Sequence, residues 1–246
     1  MENLSPLISI ITVVKNGEKH LEECFKSLQN QTYKNFEHIV IDGGSTDKTL
    51  EIINNHKSKI NFFSSQKDEG IYDGFNKGMK HVSGEYLGFL NSDDVLLPDA
   101  LMILKKYIVN EDYPDFIFGS VRKHWGILHG YRPWKIKFSW GFYSSHSTGF
   151  YIKSSSAKIV GNYDLKYKYS SDYDYLYRMI VKHKMRGVAT KKDEIFGIFR
   201  RGGFSSKVSF YDHFTEEIKI RLNNKQNKIL VLLIYIYKYI KNLSKL

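Results

Sequence analysis

The chain predicts an α/β fold with a mostly parallel central sheet, and three observations carry that prediction. Its clearest strand, Leu7–Val14 (LISIITVV), is a short β-branched run without polar alternation. Such runs belong to strands covered by helices on both faces. The apolar runs alternate with segments whose apolar residues recur at helical spacing, the pattern of repeated strand–helix units. Polar and acidic residues cluster directly after the strands, where open α/β sheets bind ligands.

Each element can be justified in turn. After Leu7–Val14, the spacing of Leu21, Phe25 and Leu28 predicts a helix over His20–Gln29. Phe36–Asp42 is a second strand, stopped by Gly43-Gly44. Ser45-Thr46-Asp47 supplies the N-terminus of a helix that contains Leu50, Ile52 and Ile53. Ile60–Ser64 is a third strand, Gly70–Val82 a loop and helix, Tyr86–Leu90 a fourth strand and Asp99–Val109 a further helix. The second half is less regular. Phe116–Val121 reads as one strand, and residues 122–145 are basic and aromatic, with Trp125, Tyr131, Trp134 and Trp140. His146–Ile152 reads as a strand with a polar start. Ser170–Asp174 precedes a helix striped by Tyr175, Leu176, Met179 and Ile180.

Composition narrows the class. With 246 residues and 42% hydrophobic content, the chain can bury a sizeable core. Its single cysteine, Cys24, excludes an internal disulfide framework, suits a reducing compartment and reads as a small core residue. Met1–Pro6 is polar and has no secretory pattern. The net charge of +11 fits an anionic membrane surface, a phosphorylated substrate or nucleic acid. No helix-turn-helix, zinc-ligand or RNA-binding signature accompanies it, so a nucleic-acid partner is not expected.

The carboxyl ends of the predicted strands gather Thr12–Asn16, Asp42, Asp68 and Asn91–Asp94 along one sheet edge. Two adjacent carboxylates, Asp93 and Asp94, at the end of a buried strand are costly unless something positive meets them. A divalent cation is the simplest partner, since hard cations prefer carboxylate oxygens. A helix-cap role is the competing reading.

These residues resemble the inverting nucleotide-sugar glycosyltransferases of family 2, which have the Rossmann-like GT-A fold. The matching pieces are Ile8–Asn16, Ile39–Thr49, Asp68–Gly78, Phe89–Asp94, His146, Tyr163–Tyr173 and Gly202–Ser205, spanning residues 5–207. The resemblance implies that Thr12 and Val14 line the base pocket and that Asp42 accepts a hydrogen bond from the base. It implies that Asp68 and Lys77 hold the nucleotide, with Asn16, Ser45, Asn76 and Ser92 completing the donor side. Asp93 is then the metal ligand for Mn²⁺ or Mg²⁺, Asp94 lies near the donor sugar, and Asn91 meets a ribose hydroxyl or orients Asp93. Asp172 matches the catalytic base, with Asp174 as its alternative and His146 at the acceptor rim. Two positions depart from the family pattern. Asn91 replaces a frequent Asp, and Val14 replaces a frequent aromatic.

This assignment divides the chain into a catalytic domain at 1–207 and a tail at 208–246. The domain has a nucleotide-sugar half at 1–121 and an acceptor half at 122–207. Arg200, Arg201 and Gly202-Gly203 read as a loop that could close on the diphosphate, or as a solvated basic turn. In the tail, Ile229–Tyr237 is an unbroken apolar and aromatic run flanked by Lys228, Lys238, Lys241 and Lys245. It is too short to span a bilayer, which takes ~20 apolar residues. It suits an interfacial helix, or a helix packed on the domain or another subunit.

The resemblance implies metal-dependent transfer from a UDP-sugar, or a GDP-sugar such as GDP-fucose, to a saccharide acceptor linked to undecaprenyl diphosphate. The setting is bacterial surface-polysaccharide assembly such as O-antigen, peripheral at the inner face of the cell membrane. A nucleotidyltransferase would carry a Gly-rich phosphate loop after its first strand, and Val13–Glu18 lacks one. A nucleic-acid-binding protein is the non-enzymatic alternative.

Overall fold

The computed structural model describes residues 5–138, 147–200 and 208–242. The first four strands, β1 (Ile8–Val14), β2 (Phe36–Asp42), β3 (Phe62–Ser65) and β4 (Tyr86–Phe89), are parallel neighbours in the order β4-β1-β2-β3. Helices α1 (Leu21–Gln29), α2 (Thr49–Asn55) and α3 (Ile71–Met79) make the crossovers. The side chains of β1 divide by parity. Ile8, Ile10 and Val14 pack with Leu21, Phe25 and Leu28 of α1, whereas Ile11 and Val13 pack with Phe75 of α3. Two separate cores therefore cover the two faces, which is why the strand reads as a continuous apolar run.

A short strand β5 (Val95–Leu96) and helix α4 (Ala100–Asn110) follow. The single strand predicted at 116–121 is in fact two: β6 (Phe116–Phe118) and β7 (Ser120–Lys123) belong to different sheets. The break falls at Gly119. A side chain there would meet the Phe196 ring, and its N–H donates to the Gly149 carbonyl at 2.7 Å. The remaining strands are β8 (Gly126–Leu128), β9 (Phe150–Lys153), β10 (Gly187–Ala189) and β11 (Ile195–Ile198). Among the described residues the main sheet has seven strands in the order β10-β6-β9-β4-β1-β2-β3, with β9 antiparallel to both neighbours. A second sheet orders β5-β11-β7-β8.

The later helices are α5 (Lys135–Phe138), α6 (Ser154–Val160), α7 (Ser171–Tyr177), α8 (Phe210–Asn223) and α9 (Lys228–Lys241). A π-helical turn, Arg178–Lys182, continues α7. The predicted stripe of Tyr175, Leu176, Met179 and Ile180 is buried.

The tail is two different things. α8 is built into the catalytic body: Phe214 and Ile220 are buried, and Arg221 is fully buried beneath the Tyr173 ring. Glu216 accepts the backbone N–H groups of Lys168, Tyr169 and Ser170 at 2.8–2.9 Å and so holds the approach to α7. α9 rests on this layer by a narrow stripe of Val231, Ile234 and Lys238. Lys238 is therefore not a flanking surface charge. Its ammonium lies 3.3 Å from Glu217, and burial pulls its pKa down to about 7. Ile229, Leu232, Leu233, Ile236 and Ile240 remain exposed. No described helix is long and apolar enough to cross a membrane.

Candidate active site

The four predicted polar spots meet at the carboxyl edge of the parallel strands. The loop after β1 is stitched to the loop after β2. Asn16 N–H donates to Ser45 Oγ at 2.8 Å, Gly17 N–H to Thr49 Oγ1 at 2.8 Å, and Thr46 N–H to Asn16 Oδ1 at 2.9 Å. Asn16 adopts φ 51°, a left-handed conformation that Asn tolerates better than most residues. Ser45-Thr46-Asp47 leads into α2 as expected, but Ser45 is not the residue that meets its first turn. Its hydroxyl serves Asp42, and α2 begins later, with Asp47 accepting Thr49 N–H at 3.0 Å.

Asp42 is fully buried and turned into its own loop. Its oxygens accept from Gly44 N–H, Ser45 N–H, Ser45 Oγ and Ser65 Oγ. It shapes the loop that a base would meet and offers that base no open face. Thr12 and Val14 are likewise interior. Thr12 pairs with His38 Nε2 at 2.9 Å, and burial drives that imidazole's pKa down to about 3. Val14 is 2% exposed and belongs to the α1-side core.

Asp68 lies directly against Gly43, where any Cβ would collide with its carboxylate. Asp68 also accepts Gly70 N–H at 3.2 Å just before α3. Lys77 and Asn76, farther along α3, are spent elsewhere. Lys77 pairs with Asp73 at 2.8 Å and the Lys67 carbonyl at 3.2 Å. Asn76 uses both ends of its amide on the Tyr163 backbone, at 2.9 and 2.8 Å. Asn76 is a tertiary staple, since its polar atoms are already satisfied.

After β4, Ser92 stands beside Gly17 and Asp93 is half-buried at the edge. Asp94 is buried, and accepts Thr148 Oγ1 at 2.7 Å. Burial, then the charge of Asp93, pushes its carboxyl pKa up to about 7. Asn91 Nδ2 donates to Ser147 Oγ at 2.9 Å, whereas its Oδ1 is buried with no hydrogen-bond partner among the described residues. An orphaned carbonyl oxygen beside two mutually repelling carboxylates fits a hard cation or a donor hydroxyl. The described residues hold no group of three or more His, Cys, Asp or Glu able to enclose a metal. A cation here would draw ligands from phosphate and water, as Mg²⁺ commonly does. Cys24 is buried with its thiol toward the Asn91 carbonyl, as a core residue.

Asp172 and Asp174 separate clearly. Asp174 is 4% exposed, with Oδ2 on Arg178 Nε at 2.8 Å and Oδ1 on Asn224 Nδ2 at 2.8 Å. Asp172 keeps partial exposure. Its Oδ1 accepts Tyr173 N–H at 2.8 Å and Tyr72 Oη–H at 3.1 Å, while Oδ2 receives no hydrogen bond among the described residues. Burial raises the Asp172 pKa above the ordinary carboxylate value, and the two hydrogen bonds to Oδ1 oppose that rise.

His146, Arg201 and Gly202-Gly203 lie outside the described residues. Arg200 turns to α1, where it meets His20 Nδ1 at 2.9 Å and Glu23. Sequence reasoning missed Lys123, which lies within the basic aromatic stretch. Its ammonium rides 4.5 Å over the Phe199 ring, and the carboxylates acting on it are Asp94 and Asp172. Only its place at the end of a strand could have singled it out.

Comparison with known proteins identifies the family and the fold. The family model "Glycosyl transferase family 2" matches residues 9–189. An uncharacterized glycosyltransferase of Methanocaldococcus jannaschii is 29% identical over 90% of this chain and 81% of its own. A PGL/p-HBAD biosynthesis glycosyltransferase of Mycobacterium bovis is 29% identical over 79% of each chain. Among solved structures, S. aureus TarS residues 1–349 in complex with UDP superposes with a TM-score of 0.66 at 21% identity. It covers 93% of this chain and 69% of that one. The mannosyltransferase PcManGT of Pyrobaculum calidifontis, in complex with GDP-Man and Mn²⁺, gives 0.65 at 16% identity. It covers 88% of this chain and 65% of that one. The fold is thus of the GT-A type, and the chain belongs to glycosyl transferase family 2. It is a glycosyltransferase.

Proposed function

We propose that this enzyme transfers a sugar, with inversion, from a nucleotide-sugar donor to a saccharide acceptor, using a divalent cation on the donor side. The observation that carries the reading is Asp172: one oxygen is anchored by two donors and the other is left for a substrate hydroxyl. The loops after β1, β2 and β3 form the donor side, with Asp68 as its partly open carboxylate. Asp93 would hold the cation, and Asn91 Oδ1 would meet the cation or a donor hydroxyl. When bound, that cation supplies positive charge to the diphosphate leaving group. Asp172 takes the acceptor proton on Oδ2 as the oxygen attacks, which activates a poor nucleophile near neutral pH. Lys123 is a cation on which a carboxylate of each acidic station, Asp94 and Asp172, acts.

UDP-sugars are the favoured donors, since the TarS structures carry UDP or UDP-GlcNAc; GDP-sugars are the alternative. Thermal denaturation with UDP and with GDP, each with Mn²⁺ or with chelator, tests the site. Metal-dependent stabilisation by one nucleotide is expected, because a ligand of the native state raises its melting point. Stabilisation that is equal in chelator rejects the metal-dependent reading.

The acceptor is read as lipid-linked, in bacterial surface-polysaccharide assembly, with α9 on an anionic membrane surface. Its open face of Ile229, Leu232, Leu233, Ile236 and Ile240, its terminal Lys228 and Lys241, and the +11 net charge support that placement. Leu232→Ser with Ile236→Ser should abolish co-sedimentation with phosphatidylglycerol vesicles and leave the melting point nearly unchanged, since both side chains are exposed. Undiminished sedimentation of the variant sinks the α9 assignment.

A further inference from the structure

We infer that Tyr72 is a positioning residue that aims and tunes the base, holding one oxygen of Asp172 so that the other faces the acceptor. The inference deepens the proposed function and rests on Asp172 being the base. Tyr72 lies in the first turn of α3, and its hydroxyl crosses to α7, reaching Asp172 Oδ1 at 3.1 Å and the Tyr169 carbonyl at 3.2 Å. The two acceptors compete for a single phenolic proton. With Asp172 ionised, the charged oxygen is the stronger acceptor and draws the O–H to itself. When the acceptor's proton arrives on Oδ2, Asp172 becomes neutral, and the phenolic hydrogen can turn to Tyr169 without leaving its own oxygen. The hydrogen bond therefore stabilises the ionised base that begins the reaction.

The ring is fixed independently of that hydrogen bond. Tyr72 stacks on Tyr163 at 5.6 Å and 19°, and Tyr163 stacks on Tyr175 of α7 at 4.3 Å and 16°. Asn76, one turn farther along α3, grips the Tyr163 backbone from both ends of its amide. The hydroxyl is thus delivered by an aromatic wall joining α3 to the helix that carries the base. The Tyr173 N–H shares Oδ1 with Tyr72 at 2.8 Å, and the remaining groups acting on Asp172 are Lys123 from β7, His213 from α8, and Tyr163 itself. His213 also meets Ser170 Oγ at 3.2 Å. Tyr72 is the side chain that hydrogen-bonds Oδ1, and Lys123, His213 and Tyr163 do not take its place.

Tyr72→Phe keeps the stacked ring and removes only the hydroxyl, so the variant should fold. The test measures kcat and donor KM against pH for wild type, Tyr72→Phe and Asp172→Asn, with UDP-induced thermal stabilisation as the folding control. In Tyr72→Phe the acid limb of kcat should move to higher pH by about one unit, because a hydrogen bond to the charged form is lost. kcat at neutral pH should fall at least several-fold, with donor KM unchanged. An unmoved acid limb overturns the inference, whether kcat is normal or uniformly lower, since a ring that only packs would not alter the titration. Asp172→Asn separates the two readings. If it retains near-normal turnover, the base assignment fails. If it is inactive while the Tyr72→Phe limb stays in place, only the role of Tyr72 fails.

Discussion

Asp172→Asn should lose sugar transfer by on the order of 10²–10⁴-fold while keeping metal-dependent stabilisation by nucleotide. The substitution is nearly isosteric, so the two donors to Oδ1, Tyr173 N–H and Tyr72 Oη–H, still find an oxygen. What disappears is the capacity to accept a proton at the position of Oδ2. Single-turnover kinetics with the donor prebound isolates that step from binding. Because burial raises the Asp172 pKa, the wild-type acid limb should lie above the ordinary carboxylate value of about 3.8. Below it the base is protonated and the rate falls, and the limb should be absent from the residual activity of Asp172→Asn. Near-normal turnover by the variant would move the base elsewhere. Asp174 is then a poor successor, because both of its oxygens are already taken by Arg178 and Asn224.

Asp93→Ala should remove metal-dependent nucleotide binding altogether, with a loss of turnover at least as large. Asp93 is the half-buried carboxylate of the pair, whereas Asp94 is interior and engaged with Thr148. Removing Asp93 also removes the charge that helps keep Asp94 protonated, so Asp94 becomes easier to ionise and the fold should not suffer. Isothermal titration with UDP, in Mn²⁺ and in chelator, reads the effect. The variant should show the same weak binding in both conditions. If its affinity still rises with Mn²⁺, the cation is held elsewhere.

The sheet edge proposed to bind the donor was legible because local patterns determine it. Ile8–Val14 and Phe36–Asp42 are buried on both faces, so their runs announce themselves, and the loops that follow must lie at one edge. Motif membership could not say which polar side chains remain available. Asn76 sits inside the matching segment, yet its amide is consumed by a backbone 87 residues away. Asp42 and Thr12 stand at the right strand positions, but their side chains turn inward to Ser45, Ser65 and His38. The strand break at Gly119 had a local signal in that interior glycine, but a glycine alone does not say whether a strand bulges or ends. The Phe196 ring that divides it arrives from far along the chain. Tyr72 and Asp172 are 100 residues apart, and neither neighbourhood hints at the other. Nothing local to Glu216 marks it, yet it accepts three backbone N–H groups at the approach to α7.

The insertion of β9 between β4 and β6 has a consequence for synthesis on the ribosome. β4 is complete at Phe89, but the strand that covers its open edge begins only at Phe150. At ~5–20 residues per second, the nascent chain carries that bare strand edge for roughly 3–12 s. β6 waits longer still for its second neighbour, β10, which begins at Gly187. The loops after β1, β2 and β3 can therefore form early, but on an unfinished sheet whose open edge invites pairing with other chains. A gene cut near residue 121 would yield one fragment with an uncovered sheet edge and another with no sheet to join.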